Sequence, residues 1–214
     1  MFDRAEVVLH DHFGDQDFWK VRRSMRFAKH LREIGDEFRR KFLNSSDETD
    51  GTLLHDDWQM MKTKSGQAVG GPYLAVHLRR KDFLHGRPKE VPSLKHAAEQ
   101  VQKILLKLKL NTTFVATDAP ENEFMEFKKY IPGAIKYNPP LEVRQQYLDG
   151  GVAIIDQWIC AHAKYFIGTY ESTFSFRIQD EREILGFDPD TTFNRLCGNR
   201  KMKCEQPSRW RIIY

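Results

Sequence analysis

The sequence is poor in the features that settle function quickly. Three cysteines in 214 residues cannot staple a fold, and 40% hydrophobic content supplies a core without them. No apolar run approaches the ~20 residues that a bilayer-spanning helix needs. The opening MFDRAEVVLHDHF is charged from its third residue and has no apolar core of a signal peptide. Two expectations follow: a cytosolic protein, or a chain whose original beginning lies upstream. GxGxxG and GxxxxGK[ST] are both missing, so neither a dinucleotide fold nor a P-loop enzyme is indicated. HExxH and GxSxG are missing as well. Charge is nearly balanced, 34 basic against 30 acidic residues, for a net +4. That excess admits a small anionic ligand and does not argue for nucleic acid.

What is present is a regular alternation. Asp15 is placed to cap a helix that runs to about Leu43, and its arginines, Arg22, Arg23, Arg26, Arg32, Arg39 and Arg40, read mostly as a solvated basic face. Residues 44–71 are polar and glycine-containing, a loop with a short helix near Trp58. From residue 72 the pattern changes. YLAVHL, TTFVATD, AIKY and YFIGT read as strands. Between and after them lie helical stretches: one beginning at Ser93, one capped by Asp118, the apolar GVAIIDQWICAHA, and STFSFRIQDEREIL. Strands alternating with helices predict an α/β domain, a Rossmann-like parallel sheet with helices on both faces over 72–214, preceded by a helical segment and loop over 1–71. Ligands of such sheets bind outside the carboxyl ends of the strands.

That rule singles out a few residues. His77 and Arg79 share a face if the first strand persists. Arg79 carries a planar fork of donors suited to phosphate; a structural pair with Asp82 is an equal reading. In GTYESTFSF, Ser172 or Thr173 caps a helix whose opening amides form an anion site or simply an ordinary helix start. Asp156, among apolar residues, either pairs with a core arginine or accepts from a guanine; the residues alone favour the internal pair. His10-Asp11-His12 has no supporting ligand, and Cys160 with His162 has no known metal spacing. Cys160 reads as a buried thiol. Cys197 and Cys204 lie in a polar loop compatible with a short-range disulfide. Asn44 and Asn111 head glycosylation sequons. A basic interaction domain acting through the arginine-rich helix is the rival from another class.

HLRRKDF, FVATDA, GGVAIIDQWICAHAKYFIGTYESTFSFRI, EREILGFDP and CEQPSRW, in this order, resemble the GDP-fucose protein O-fucosyltransferase family. The resemblance implies a GT-B fold of two Rossmann-like halves, of which this chain is the C-terminal, donor-binding one. It implies an inverting peptide-O-fucosyltransferase that moves fucose from GDP-fucose to Ser or Thr of folded thrombospondin type 1 repeats in the endoplasmic reticulum lumen. No metal cofactor, nucleic acid or membrane span is implied. Arg79 matches the position that contacts the diphosphate and is needed for activity. His77, Asp156, Ser172, Thr173 and Phe174 match nucleotide-site positions, with Asp156 as guanine reader. Cys197 and Cys204 match a family disulfide, and Asn44 a glycosylation position. The family's signal peptide and general-base Glu belong to an N-terminal half that precedes the DRAE segment. The alternative is therefore a non-catalytic nucleotide-sugar-binding fragment lacking that base.

Overall fold

The structure is a computed structural model that describes residues 13–199 and 203–214. Its centre is a parallel sheet of β1 (Gly71–Leu78), β2 (Thr113–Thr117), β3 (Ala134–Ile135) and β4 (Ala163–Ile167), in the spatial order β3-β2-β1-β4. Both faces are covered, which is why the strands read as apolar runs rather than alternating ones. Tyr73 and Ala75 of β1, with Phe114 and Ala116 of β2, pack against one layer. Leu74, Val76 and Leu78, with Val115, pack against the other.

The layer over Leu74 and Val76 contains α5 (Leu94–Leu108) and α6 (Glu121–Tyr130), which deliver Ala97, Val101, Phe124 and Phe127. Ser93, where the helix was expected to begin, caps α5, its hydroxyl accepting the His96 amide at 3.2 Å. The opposite layer contains α2 (Lys29–Leu43), α7 (Leu141–Ala161) and α8 (Thr173–Leu185). The short α3 (Asp47–Asp50) and α4 (Phe83–Gly86) follow α2 and β1. Leu31 and Leu43 of α2 lie in the same cluster as the sheet residues, so the first helical segment shares their core.

Several expectations are corrected. The first helix is two: α1 (Gln16–Ser24), capped by Asp15, and α2, with Met25–Ala28 between them. Ala28 is extended there, at ψ 135°, and the break lets Phe27 bury against Trp158 of α7. The helix placed over 151–163 ends at Ala161 and is the second part of α7, which a kink at Leu148, with non-helical φ 53° and ψ −168°, divides in two. Asp118 does not cap α6, whose N-cap is Pro120 without a side-chain bond. The carboxylate instead accepts the Arg80 amide at 2.6 Å.

The solvated basic face is also overturned, because Arg22, Arg23 and Arg39 are buried. Arg22 pairs with Asp180 at 2.9 Å and with Glu181 at 3.5 Å. Fully buried Arg39 donates to Asp36, Asp47, Asp50 and the Ser45 hydroxyl at 2.8–3.1 Å, which pins the 44–51 turn onto α2. A buried guanidinium is tolerable only when its donors are satisfied in this way. The basic surface that an arginine-driven interaction domain would need is thereby much reduced.

Arg182 works differently. It is fully buried and donates to the carbonyls of Ala161, Ala163 and Thr191 at 2.6–3.1 Å. Burial lowers its pKa to about 9. These bonds tie the last turn of α8 to both ends of the α7–β4 turn, at the entry of β4. Cys197 and Cys204 form a disulfide, and Cys160 is a buried free thiol. Among the described residues no helix is long and apolar enough to cross a membrane.

Candidate functional site

Strand order locates the crevice. The chain steps from β1 outward to β2 and β3, then returns across the sheet to place β4 on the other side of β1. The carboxyl ends of β1 and β4 therefore flank a topological switch point, where open parallel sheets bind ligands. The two exits are the segments that sequence reasoning marked: His77 to Asp82 after β1, and Thr169 to Phe174 after β4.

Thr169 joins them. Ladder pairing between β1 and β4 reaches Val76 and Ile167. Beyond it the Thr169 hydroxyl donates to the His77 carbonyl at 2.7 Å and accepts the Arg79 amide at 3.0 Å. The loop then turns through Glu171, whose φ of +46° is left-handed, and enters α8 after Ser172. The Ser172 side chain makes no capping bond. The first amides of α8 thus receive no cap from it, and they carry the positive end of the helix dipole.

His77 is 3% exposed. Its ring stacks on Phe174 at 4.3 Å between centroids, and its Nδ1 lies 2.8 Å from Ser175 Oγ. Burial, reinforced by the Arg79 charge, pushes its pKa down to about 3, so the imidazole is neutral at physiological pH.

Arg79 is more exposed. Its Nε and Nη2 form a fork on Asp82 at 2.9 and 3.2 Å, and Nε lies 3.2 Å from Asp118 Oδ2. The Asp82 pair is therefore real. In this arrangement the guanidinium contacts residues that follow β1 and β2, and it makes no hydrogen bond to the start of α8. Only its backbone is tied to Thr169. The hydrogen bond it donates to Asp82, the largest cause, holds the guanidinium pKa above its usual value, so its charge is permanent.

Asp156 lies apart from these groups on α7, which covers the same face of the sheet. Among the described residues no arginine pairs with it: its Oδ1 is shielded from solvent and has no hydrogen-bond partner there. Burial raises the carboxyl pKa to about 8, against the opposing pull of Lys136. The hydroxyl of Tyr137 is likewise shielded and unpartnered. Its pKa is raised by burial and then by Asp156. Lys136 and Tyr137 line a cavity of about 570 Å³ beside β3, walled by Ile34 and Phe38 of α2, Phe124 of α6 and Val143 of α7.

The site residues thus fall into two groups. His77 and Phe174 meet directly, with Ser172 and Thr173 at the adjoining helix start and Arg79 joined through its backbone; Asp156 stands nearer the β3 side. Sequence reasoning missed Ser175 and Tyr137. Nothing in STFSF distinguishes a serine that bonds a histidine 98 positions away, and Tyr137 stood among strand residues. His10-Asp11-His12 lies outside the described residues. Among the described residues no group of three His, Cys, Asp or Glu side chains is placed to hold a metal ion. Asn44 and Asn111 are both exposed.

The family model described as GDP-fucose protein O-fucosyltransferase matches residues 2–185. The human protein named GDP-fucose protein O-fucosyltransferase 2 is 56% identical over 214 residues, covering all of this chain and 50% of its own length. The Caenorhabditis elegans protein of that name is 49% identical with the same coverage, and the Drosophila melanogaster one 45% identical over 98% of the chain and 43% of its own length. This chain therefore spans about half the length of the relatives it matches. Among solved structures, POFUT1 in complex with GDP-fucose superposes with a TM-score of 0.54 at 16% identity, over 84% of this chain and 49% of that one. POFUT1 in complex with GDP gives 0.51 at 17%. At such identity the likeness establishes the fold, an α/β parallel-sheet unit like half of those molecules. With a matching family model over most of its length and relatives above 45% identity along the whole of it, the chain belongs to the GDP-fucose protein O-fucosyltransferase family.

Proposed function

We propose that this chain is the donor-binding half of a peptide-O-fucosyltransferase, and that it holds GDP-fucose at the crevice between the exits of β1 and β4. The observation that carries the proposal is the joining of the two exits by Thr169, which brings the backbone of Arg79, the neutral His77 imidazole and the start of α8, uncapped by Ser172, to one place. The diphosphate sits against the amides of Thr173 and Phe174. The Arg79 fork swings from Asp82 onto two oxygens of a phosphate, which it grips bidentately as it does a carboxylate. Support for the ligand comes from the relatives' names and from the POFUT1 complexes with GDP-fucose and GDP.

The reaction assigned is an inverting displacement. A Ser or Thr hydroxyl oxygen bonds to the anomeric carbon as the carbon–oxygen bond to the β-phosphate breaks, and GDP departs with that electron pair. Arg79 and the α8 amides stabilise the charge that grows on the phosphate, which needs no metal in this scheme. A base must take the hydroxyl proton, and none of this chain's residues is given that role. Because the chain spans half the length of its relatives, it is assigned the donor site and not the whole catalyst. The acceptors proposed are folded thrombospondin type 1 repeats in the endoplasmic reticulum lumen. There the Cys197–Cys204 disulfide is stable, and Asn44 and Asn111 are available to N-glycans.

Calorimetric titration of the chain tests the donor assignment. GDP and GDP-fucose are expected to bind, and the uridine analogues about tenfold or more weakly, the worth of about one hydrogen bond to a charged group. Chelator is expected to change neither. Absent heat with the guanine ligands, or equal affinity for both bases, refutes the assignment.

A further inference from the structure

Ser175 has no part in the scheme above, yet it bonds to residues at the exits of both β1 and β4. It is 1% exposed in the first turn of α8, and its Oγ accepts the Thr169 amide at 3.0 Å while lying 2.8 Å from His77 Nδ1. The approach is close because residue 168 is glycine: a Cβ there would meet Ser175 Oγ at 2.6 Å.

Proton accounting decides the direction of the second bond. The Thr169 amide can only donate, so Oγ accepts from it. The hydroxyl keeps one proton of its own, and among the described residues Nδ1 of His77 is the sole acceptor within reach. Nδ1 therefore carries no proton. The ring is neutral, pushed down by burial and by the Arg79 charge, so its single proton sits on Nε2. Among the described residues that nitrogen has no hydrogen-bond partner and is not fully shielded from solvent, although the residue is only 3% exposed. Stacking on Phe174 fixes the ring plane.

We propose that Ser175 is a positioning residue that locks His77 in the Nε2–H tautomer, so that the crevice offers an anionic ligand an N–H donor and not a lone pair. The ligand half of this proposal rests on the donor-site reading; the tautomer lock does not. A bare Nε2 would face a phosphate oxygen lone pair to lone pair. The hydroxyl therefore holds as a directed donor a neutral side chain that could otherwise exchange between two tautomers.

The test is a long-range ¹⁵N–¹H histidine spectrum of the labelled chain, assigned by the resonances lost in His77→Gln, together with GDP titration. In the wild type, His77 is expected to show a protonated Nε2 and an unprotonated Nδ1, unchanged across neutral pH. Ser175→Ala is expected to populate the Nδ1–H form and to weaken GDP about tenfold, the worth of one hydrogen bond. Ser175→Thr, which keeps the hydroxyl, is expected to restore the wild-type spectrum. A protonated Nδ1 in the wild type overturns the proposal and needs no variant to fold. An unchanged tautomer in Ser175→Ala overturns it as well. An Nε2–H spectrum in a chain that does not bind GDP upholds the lock and removes the donor-site reading.

Discussion

Arg79→Ala is expected to weaken GDP binding by this chain about 10–100-fold, the worth of charged hydrogen bonds to a phosphate. When the chain is assayed with the further half that its relatives carry, the same change is expected to slow fucose transfer about 10²–10³-fold, the cost of losing one preorganised charge stabiliser. The larger effect on rate follows from when the charge appears. Negative charge on the β-phosphate grows as the sugar departs, so the guanidinium is worth more in the transition state than in the ground state. Stability should barely respond. The Arg79–Asp82 pair is substantially exposed, 37% and 61% at the side chains, and such pairs contribute about 0–1 kcal/mol. Melting is therefore expected to move by no more than about 4 °C. Arg79→Lys keeps the charge and loses the fork, and is expected to recover only part of the rate. Full turnover in Arg79→Ala would assign the residue to the Asp82 pair alone.

GDP-fucose affinity is expected to rise with pH, and Asp156 sets the direction. A guanine offers two N–H donors to a carboxylate, so the ligand selects the ionised form. In the free chain burial holds the carboxyl pKa at about 8, so the group is mostly protonated at neutral pH. Binding must then expel that proton. By linkage, affinity climbs up to about tenfold per unit as pH rises from about 6 towards 8, and levels above that. Close to one proton is expected to leave per GDP-fucose bound at pH ~7, measured by titration in buffers of different ionisation heat. GDP-fucose is the better probe, because the second ionisation of a terminal phosphate falls near pH ~6 and would add its own slope. Asp156→Asn is expected to abolish both the slope and the proton release, and to cost guanine nucleotides more than uridine ones. A retained slope, or equal losses with both bases, removes Asp156 as the base reader.

The same group carries a stability signature of fixed sign. Its pKa is raised above the ordinary carboxylate value, so its contribution favours the fold fully below about pH 4. That contribution is lost as pH climbs through about 8.

How much of this was legible in the sequence depends on how local the physics is. The strands of the sheet, the helix start at Ser93 and the start of α8 were readable, because apolar runs, cap residues and helix periodicity act within a few positions. The crevice was also readable, since alternating strands and helices direct ligands to strand exits before any coordinate is known. What escaped were interactions closed over long separations. Arg22 looks solvated until Asp180 and Glu181 arrive from α8. Asp118 looks like a helix cap until the Arg80 amide claims it. Asp156 looks like half of a buried ion pair, and only packing reveals that no arginine reaches it. Arg79 was read as either a phosphate ligand or a partner of Asp82. The structure shows the second arrangement, and the first requires the fork to change partners.

The central claim is that a diphosphate is held between the exits of β1 and β4. Its most direct test is to titrate the ¹⁵N-labelled chain with GDP and follow the backbone amides and the Arg79 Nε–H. The account predicts the largest shifts at Thr169, Thr173, Phe174 and Ser175, together with a downfield move of Arg79 Nε–H as it leaves Asp82. Shifts confined to the cavity beside β3 or to the arginines of α1 and α2, with Thr173 and Arg79 unmoved, would contradict it.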